Sequence, residues 1–330
     1  MLKDNHGRQV SYMRISVTDR CNLRCFYCWP KKFVRFIPHE DILTYEEILR
    51  LIRIGMSLGV DKVRLTGGEP FARKDFLGFL EQAVALNSGL DLRLTTNATM
   101  LRGKAAVLKD MGVKRLNISL DTLDRKKFER ITGRDEHPLV IAAIDECLAQ
   151  GLDIKINAVA MKGVNDDEVN AFLDLAATKS LDVRFIEFMP IGHKTIWSEE
   201  YFWPTRDIVA TASRFADLRP LERHERSSGP ARMFQIGEGP GRFGVISAVS
   251  DHFCAKCNRL RITADGRLRT CLFSDKEYRL RPILRSAHLG DEHLCRILTL
   301  ANAIKPMGFE QLGKREGSSV CSRNMSAIGG

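Results

Sequence analysis

A repeated alternation of strand-like and helix-like segments constrains the fold of this chain more than any other feature of its sequence. Runs of strand length, rich in β-branched residues or Leu, begin at Met13, Asp61, Asp91, Lys114, Asp153 and Asp182. The stretches between them space their apolar residues as amphipathic helices do. This alternation predicts an α/β protein with a parallel sheet and right-handed crossovers, either doubly wound or curled into a barrel.

The predicted strands carry polar residues at alternate positions, as Arg64 and Thr66 do in one strand and Lys155 and Asn157 in another. Parallel strands that are covered on both faces are normally apolar throughout, so one face of these strands is expected to line a polar space. We therefore expect an incomplete, TIM-like (β/α)6 barrel with a ligand site in its lumen or at its mouth. A half-exposed edge strand remains the alternative for any single strand.

The alternation stops after about residue 215. The following segment is punctuated by Gly, Pro and Ser, with short strand candidates that begin at Arg232 and Phe243. It predicts an antiparallel extension that closes one side of the barrel. The expected division is a partial barrel over residues 1–215 and a C-terminal region over residues 216–330, which ends in a mobile, Gly-rich tail.

The net charge of +10, from 51 basic and 41 acidic residues, predicts an anionic partner. Nucleic acid and a phosphorylated small molecule are both candidates, and the spread of basic residues along the chain favours a charged pocket. The N-terminal sequence contains no hydrophobic segment typical of a signal peptide or a membrane span. We therefore expect a cytoplasmic protein with no membrane partner.

Six of the nine cysteines form two groups of three, which are Cys21, Cys25, Cys28 and Cys254, Cys257, Cys271. Clustered cysteines in a reducing compartment indicate metal or redox ligands. Three thiolates on a four-iron cluster would leave one iron open to a small molecule, much as catalytic zinc keeps an open position. For the second group, a zinc site completed by the nearby His252 is the alternative.

The CxxxCxxC spacing, with Tyr27 directly before the third cysteine and "GGEP" at residues 67–70, resembles the radical S-adenosylmethionine superfamily. Further segments resemble the branch of that superfamily that cyclises GTP in the first step of molybdenum cofactor biosynthesis. These are "YMRISVTDRCNLRC", "TTN", "NISLDTL", "IKINAVAMKGVND", "FIEFMPIG", "CNRLRIT" and the terminal "IGG". The resemblance covers essentially the whole chain. One departure is Ala98 after "TTN", where that branch usually has glycine, and it could restrict the turn.

The resemblance implies two [4Fe-4S] clusters, one on each group of cysteines, with S-adenosyl-L-methionine on the open iron of the first. The first cluster would cleave S-adenosylmethionine, and the 5′-deoxyadenosyl radical would abstract the 3′ hydrogen of GTP. The C3′ radical would then attack guanine C8, and reduction and protonation of the resulting radical would give 3′,8-cyclo-7,8-dihydroguanosine triphosphate. The implied S-adenosylmethionine-binding residues are Tyr27, Gly67, Gly68, Glu69, Ser119 and Met189. The implied GTP-binding residues are Arg14, Arg64, Thr95, Lys155, Arg259 and Arg261, with Arg184 as a further cation.

The resemblance also implies that Gly329 and Gly330 reach the catalytic pocket. It implies a homodimer that passes its product to cyclic pyranopterin monophosphate synthase, and no nucleic-acid partner. Two alternatives remain. One is another radical S-adenosylmethionine enzyme with an auxiliary cluster, such as a peptide-modifying maturase, and the other is a basic zinc protein that binds RNA. Cys147 matches no ligand pattern and is expected to be a small buried hydrophobe.

Overall fold

The computed structural model describes residues 1–29, 36–87, 89–192, 195–222, 229–313 and 319–329. Its main element is a twelve-stranded sheet, in which the central strands run parallel. These parallel strands are, in spatial order, β12 (Arg259–Ile262), β3 (Tyr12–Ser16), β4 (Lys62–Thr66), β5 (Asp91–Thr96), β6 (Arg115–Ser119), β7 (Asp153–Ala160), β8 (Leu181–Glu187) and β11 (Arg242–Ile246). The six predicted strands are β3 to β8, which confirms the parallel α/β arrangement.

The remaining strands extend both ends of this sheet in antiparallel fashion or form a separate hairpin. They are β13 (Arg267–Arg269) and β14 (Tyr278–Arg279) beyond β12, β10 (Arg232–Ile236) and β9 (Leu218–Pro220) beyond β11, and the hairpin of β1 (Leu2–Lys3) and β2 (Gln9–Val10). Within the described ranges the sheet is open, with β9 and β14 at its edges. We expected the C-terminal strands on one side only. The C-terminal strands instead lie at both ends of the sheet, because β11 pairs with β8 at one end and β12 pairs with β3 at the other.

The helices pack mainly against one face of the sheet. They are α1 (Tyr45–Ser57), α2 (Phe76–Ala85), α3 (Ala105–Asp110), α4 (Arg125–Thr132), α5 (His137–Ala149), α6 (Val169–Thr178), α7 (Thr205–Ala212), α8 (Arg281–Leu284), α9 (Asp291–Ala303), α10 (Gly308–Gly313) and α11 (Met325–Ile328). In α1, Thr44 and Glu47 form a capping box that satisfies two backbone amides. None of the helices in the described part of the chain is long and apolar enough to cross a membrane.

The two faces of the sheet differ as the alternating sequence predicts. In β7, Ile154, Ile156, Ala158 and Ala160 are buried in the core, whereas the residues between them are only half-buried. Because neighbouring residues of a strand point to opposite faces, the polar residues of β7 share the face turned away from the core. Cys147 is fully buried in α5, as expected.

The turn after β5 contains the one departure from the expected motif. Ala98 is fully buried and has a φ of 62°, in the left-handed region that favours glycine. We expect Ala98→Val to lower the free energy of unfolding by about 2 kcal/mol or more, because a β-branched residue is strained there and lacks space. Ala98→Gly is expected to change it by less than about 1 kcal/mol, because relief of strain opposes the loss of a buried methyl group. Anaerobic thermal unfolding measures both, and equal midpoints for Ala98→Val and the parent would contradict this expectation.

Candidate active site

A cavity of about 1530 Å³ is lined by the polar face of the sheet. It brings together both groups of cysteines and nearly all of the other predicted site residues. The predicted residues in its wall are Arg14, Cys21, Cys25, Tyr27, Cys28, Arg64, Gly67, Gly68, Thr95, Ser119, Lys155, Arg184, Met189, Cys254, Cys257, Arg259, Arg261 and Cys271.

The two groups of cysteines lie near opposite ends of the parallel strand pair β3 and β12. Cys21 follows the C-terminal end of β3, whereas Cys257 precedes the N-terminal end of β12. Tyr12 at the start of β3 donates its backbone N–H to Asn258 O, which places the second group beside that end. Since β3 has 5 residues, the strand between the two groups is roughly 17 Å long. The cavity therefore has two thiol-bearing ends and a middle section.

The "GGEP" turn holds the loop that carries the first cysteines. Gly68 N–H donates to Thr18 O and Glu69 N–H donates to Arg20 O, both at 2.8 Å. A Cβ on Gly67 would lie 2.3 Å from Thr18 O, and one on Gly68 would lie 2.1 Å from Arg20 O. Only glycine permits such an approach, so these two residues are required by packing against the cysteine loop.

Glu69 is fully buried and does not line the cavity. Its carboxylate accepts hydrogen bonds from Phe71 N–H, Thr96 Oγ1 and Asn97 N–H at 2.7 to 3.1 Å. Burial raises the pKa of Glu69 to about 7. The side chain thus joins the turn to the end of β5, and its role in cofactor binding stays a prediction.

Two polar residues beside the first cysteines lie in the "TTN" and "NISLDTL" segments but were not assigned a site role from the sequence. Asn97 Nδ2 donates to Cys21 Sγ at 3.6 Å. Asp121 Oδ2 accepts a hydrogen bond of 2.6 Å from Tyr27 Oη, and burial raises the pKa of Asp121 to about 6. Both follow the C-terminal ends of parallel strands, the usual place for functional groups in such folds, and that position was the available signal.

The first group of cysteines fits a metal cluster by its chemistry. Burial raises the pKa of Cys21 to about 11 and that of Cys28 to about 12, and it raises the pKa of Cys25 well above its usual value. All three thiols are free of disulfides. Metal coordination removes the thiol proton outright and so supplies the stabilisation that burial takes away.

The second group converges on the backbone of Gly308. A Cβ at this glycine would lie 3.1 Å from Cys254 Sγ and 3.3 Å from Cys271 Sγ. Burial alone would raise the pKa of Cys257, but the positive charges of Lys305 and Arg259 lower it to about 6. The thiolate is therefore favoured here, as a metal ligand requires.

No three His, Cys, Asp or Glu side chains in the described ranges are gathered closely enough to hold one metal ion. A four-iron cluster differs from a single ion, because each thiolate binds a different iron.

A row of arginines crosses the middle of the cavity. Arg261, Arg14, Arg64 and Arg93 are direct register partners on β12, β3, β4 and β5, so they project from the same face. Burial lowers the pKa of Arg14 to about 10 and that of Arg261 well below its usual value. Neighbouring buried cations repel one another, and an anion with several charges would relieve that repulsion.

Tyr12 was not predicted from the sequence, although it contacts this row. Its phenol oxygen is hydrogen bonded to Arg64 Nε, and Arg64 Nη1 also donates to Thr95 Oγ1 at 3.2 Å. Burial raises the pKa of the Tyr12 phenol, but the positive charges of Arg64 and Arg14 outweigh burial and bring the pKa to about 7. The arginines therefore favour the charged form of this phenol.

Arg184 offers unsatisfied donors to the cavity. Its Nε and Nη2 atoms are buried and have no hydrogen-bond partner among the described residues. The neighbouring Lys155 forms an ion pair with Asp182, which Arg242 also contacts at 2.7 Å. Burial lowers the pKa of Arg184 to about 9. An anionic ligand would satisfy these donors.

The described part of the C-terminal tail is packed against the cavity, which differs from the mobile tail that we expected. Val320 N–H donates to Pro190 O at 2.9 Å, and Ile328 is fully buried. Gly329 O accepts a hydrogen bond of 2.7 Å from Arg261 Nη1. Burial of the apolar Ile328 side chain stabilises the packing of this segment. Gly330 lies outside the described residues.

Two family models match the chain. The Radical SAM superfamily matches residues 15–176, and Molybdenum Cofactor Synthesis C matches residues 181–311. The solved structure of Streptococcus suis SuiB bound to S-adenosylmethionine has a TM-score of 0.62 at 16% sequence identity, covering 97% of this chain and 77% of SuiB. This likeness supports the fold alone. The matched family model and the cysteine loop inside it place this chain in the class of radical S-adenosylmethionine proteins.

Comparison with curated relatives identifies the family within this class. A GTP 3′,8-cyclase of Thermodesulfovibrio yellowstonii is 42% identical over 332 residues, and one of Alkaliphilus oremlandii is 41% identical over 330 residues. Each alignment covers 100% of this chain and 100% of the relative. The chain belongs to the GTP 3′,8-cyclase family.

Proposed function

We propose that this protein converts GTP to 3′,8-cyclo-7,8-dihydroguanosine triphosphate in the first step of molybdenum cofactor biosynthesis. The full-length relatives named GTP 3′,8-cyclase support this function. The observation that carries it is a single cavity with a group of cysteines at each end and a row of arginines between them. A nucleoside triphosphate has the negative charge that these arginines would bind.

The residues at the first end would bind one [4Fe-4S] cluster and S-adenosylmethionine. Cys21, Cys25 and Cys28 would be the thiolate ligands, and Asn97 would donate a hydrogen bond to the first sulfur. When bound, this cluster and S-adenosylmethionine supply a 5′-deoxyadenosyl radical that abstracts the 3′ hydrogen of GTP. Tyr27 is held by Asp121 and fixes the wall of this end.

Other residues of the same end complete the cofactor site. Gly67 and Gly68 line the cavity and would present their backbone to S-adenosylmethionine. Ser119 and Met189 line the cavity and would contact the bound cofactor. Glu69 would contribute by holding the turn that carries the two glycines.

The residues of the middle section would bind GTP. Arg14, Arg64 and Arg261 would contact the triphosphate through charge-assisted hydrogen bonds, and Thr95 would keep Arg64 in place. Lys155, Arg184 and Arg259 line the same cavity and would extend this cationic surface. Enclosure of the reacting atoms would exclude water and other quenchers of radicals.

The C-terminal region would contribute the other end of the site. Cys254, Cys257 and Cys271 would hold a second [4Fe-4S] cluster, and the guanine of GTP would bind beside it. We therefore propose residues 1–215 as the radical-generating partial barrel and residues 216–330 as the region of the auxiliary cluster. A cytoplasmic location, a homodimer and transfer of product to cyclic pyranopterin monophosphate synthase stay predictions from the resemblance.

Anaerobic purification followed by iron, sulfide and zinc analysis tests the cofactors. About eight irons per chain with matching sulfide are expected for two clusters. Zinc without labile sulfide would instead support a zinc protein. Incubation with a reductant, S-adenosylmethionine and each nucleoside triphosphate then tests the substrate. A cyclised product from GTP is expected, and its absence with both clusters loaded would contradict the proposed function and favour a different radical enzyme.

Arg184 provides a prediction about substrate binding. We expect Arg184→Met to raise the KM for GTP by about 10-fold to 100-fold, because one charge-assisted hydrogen bond contributes about 1.5 to 3 kcal/mol. The matched control is Arg125→Met, which removes an exposed guanidinium of α4 that is paired with Asp135. Initial rates at varied GTP concentration measure the effect, and equal KM values for the two variants would contradict a role of Arg184 in binding.

A further inference from the structure

Lys305 is a buried cation that joins two of the C-terminal cysteine segments. It follows α9 and is only 2% exposed. Its Nζ atom donates to Arg259 O at 2.7 Å and also to Thr270 O. Arg259 lies two residues after Cys257, and Thr270 directly precedes Cys271. One ammonium group therefore fixes the spacing between the segments that carry these two thiols.

Arg8 ties the third cysteine segment to the same place. Its Nη1 atom donates to Cys254 O at 2.9 Å, and its Nη2 atom donates to Lys305 O at 2.7 Å. Arg8 itself is held by a buried ion pair of 2.6 Å with Asp4, in the segment between β1 and β2. Both residues lie outside the regions that the two family models match. The N-terminal hairpin thus supports the C-terminal cysteine site.

Arg8 and Lys305 differ in whether a nearby carboxylate balances their positive charge. Arg8 is neutralised by Asp4, whereas no carboxylate within the described part of the chain forms an ion pair with Lys305. A buried charge without a counter-charge is strongly unfavourable. A four-iron cluster with three thiolate ligands carries net negative charge, and this charge increases on one-electron reduction. Such a group next to Lys305 would satisfy the ammonium, and the ammonium would favour the reduced state.

We propose that Lys305 and Arg8 are positioning residues of the C-terminal cysteine site and that Lys305 is a counter-charge that raises the reduction potential of a cluster held there. The proposal rests on the second cluster of the proposed function. It assigns different effects to the two residues. Lys305 acts through both position and charge, whereas the Asp4–Arg8 pair acts through position alone.

The test uses the full-length chain in which Cys21, Cys25 and Cys28 are replaced by Ala, so that only the C-terminal cluster contributes to the signal. In this background we compare Lys305→Gln, which retains hydrogen-bond donors without the charge, and Lys305→Met, which retains neither. Lys276→Met removes an exposed lysine as the matched control. The measurements are iron and sulfide content, iron loss to a chelator, and an anaerobic potentiometric titration followed by electron paramagnetic resonance.

We expect Lys305→Gln to keep its iron and to shift the reduction equilibrium at least about tenfold towards the oxidised cluster, a fall of about 59 mV for one electron. Lys305→Met should show the same shift together with faster iron loss. Lys276→Met should leave the potential unchanged. Full iron content with an unchanged potential in both Lys305 variants would overturn the proposal. Iron for only one cluster in the chain with all six cysteines of the two groups intact would instead overturn the proposed function, so the two failures are distinguishable.

A double variant, Asp4→Asn with Arg8→Met, separates position from charge because it leaves the net charge unchanged. It should lose iron to the chelator faster than the parent, with an unchanged potential for the cluster that remains. Iron retention equal to that of the parent would overturn the role of Arg8. The same substitutions in the chain with all cysteines intact control for folding. Loss of the C-terminal cluster alone supports the proposal, whereas loss of both clusters together means a general structural role and overturns it.

Discussion

Replacement of Cys254, Cys257 and Cys271 by Ala is expected to lower GTP cyclisation by at least about 1000-fold, because a lost cofactor site removes its chemistry. The same variant should keep reductive cleavage of S-adenosylmethionine. The reason is the layout of the cavity, in which the two groups of cysteines lie near opposite ends of β3 and β12 and the first loop is held by its own turn. Product analysis by mass spectrometry and assay of 5′-deoxyadenosine measure the two activities separately.

The complementary variant replaces Cys21, Cys25 and Cys28 by Ala and should lose both activities. In each variant the iron content should fall from about eight to about four per chain. Cys295→Ala is the matched control, because this half-buried thiol on α9 lies outside both groups of cysteines. Cyclised product from the variant without the C-terminal cysteines would show that the second group is not needed for the reaction.

Deletion of Gly329 and Gly330 is expected to abolish cyclisation and to leave both clusters loaded. The described contacts give the reason, since Gly329 O accepts from Arg261, a residue of the arginine row. Loss of this contact frees the guanidinium and opens the cavity where the tail packs. The deletion protein should therefore contain the same iron as the parent while forming no cyclised product.

A pair of glycine substitutions tests the same contact more finely. A Cβ on Gly329 would lie 2.6 Å from Thr66 Cγ2, and its φ of 79° disfavours any other residue. Gly329→Ala should therefore displace the tail and impair cyclisation. Gly313→Ala is the matched control, because a Cβ there meets nothing within 4 Å. Normal GTP turnover by the deletion protein would refute a catalytic role of the tail.

Much of the first site could be predicted from the sequence, because its residues lie close together along the chain. Cys21, Cys25, Cys28 and Tyr27 share one loop, so their spacing alone indicates the kind of cofactor. The "GGEP" turn was also recognisable. The structure shows why glycine is needed there: the backbone oxygens of Thr18 and Arg20 lie too close to allow a Cβ. This contact joins segments that are distant in the sequence, so no local pattern predicts it.

Fewer residues of the second site and of the substrate-binding surface could be predicted from the sequence, because packing of distant segments brings them together. Lys305 and Arg8 belong to no recognisable motif, and they reach the cysteines only because the N-terminal hairpin and the end of α9 meet there. Tyr12 and Asp121 are ordinary strand-end residues in the sequence. Their surroundings, three nearby arginines for Tyr12 and the Tyr27 phenol for Asp121, come from neighbouring strands.

The sequence by itself determined the alternation of strands and helices, the polar face of the sheet and the two groups of thiols, because periodicity and short spacing are local properties of a chain. Only the tertiary structure decided which distant residues share the cavity. Arg261 meets Arg14 because β12 pairs in parallel with β3, at the end of the sheet opposite to β11. Strand order and register arise from packing over the whole chain, and they convert separate motifs into one site.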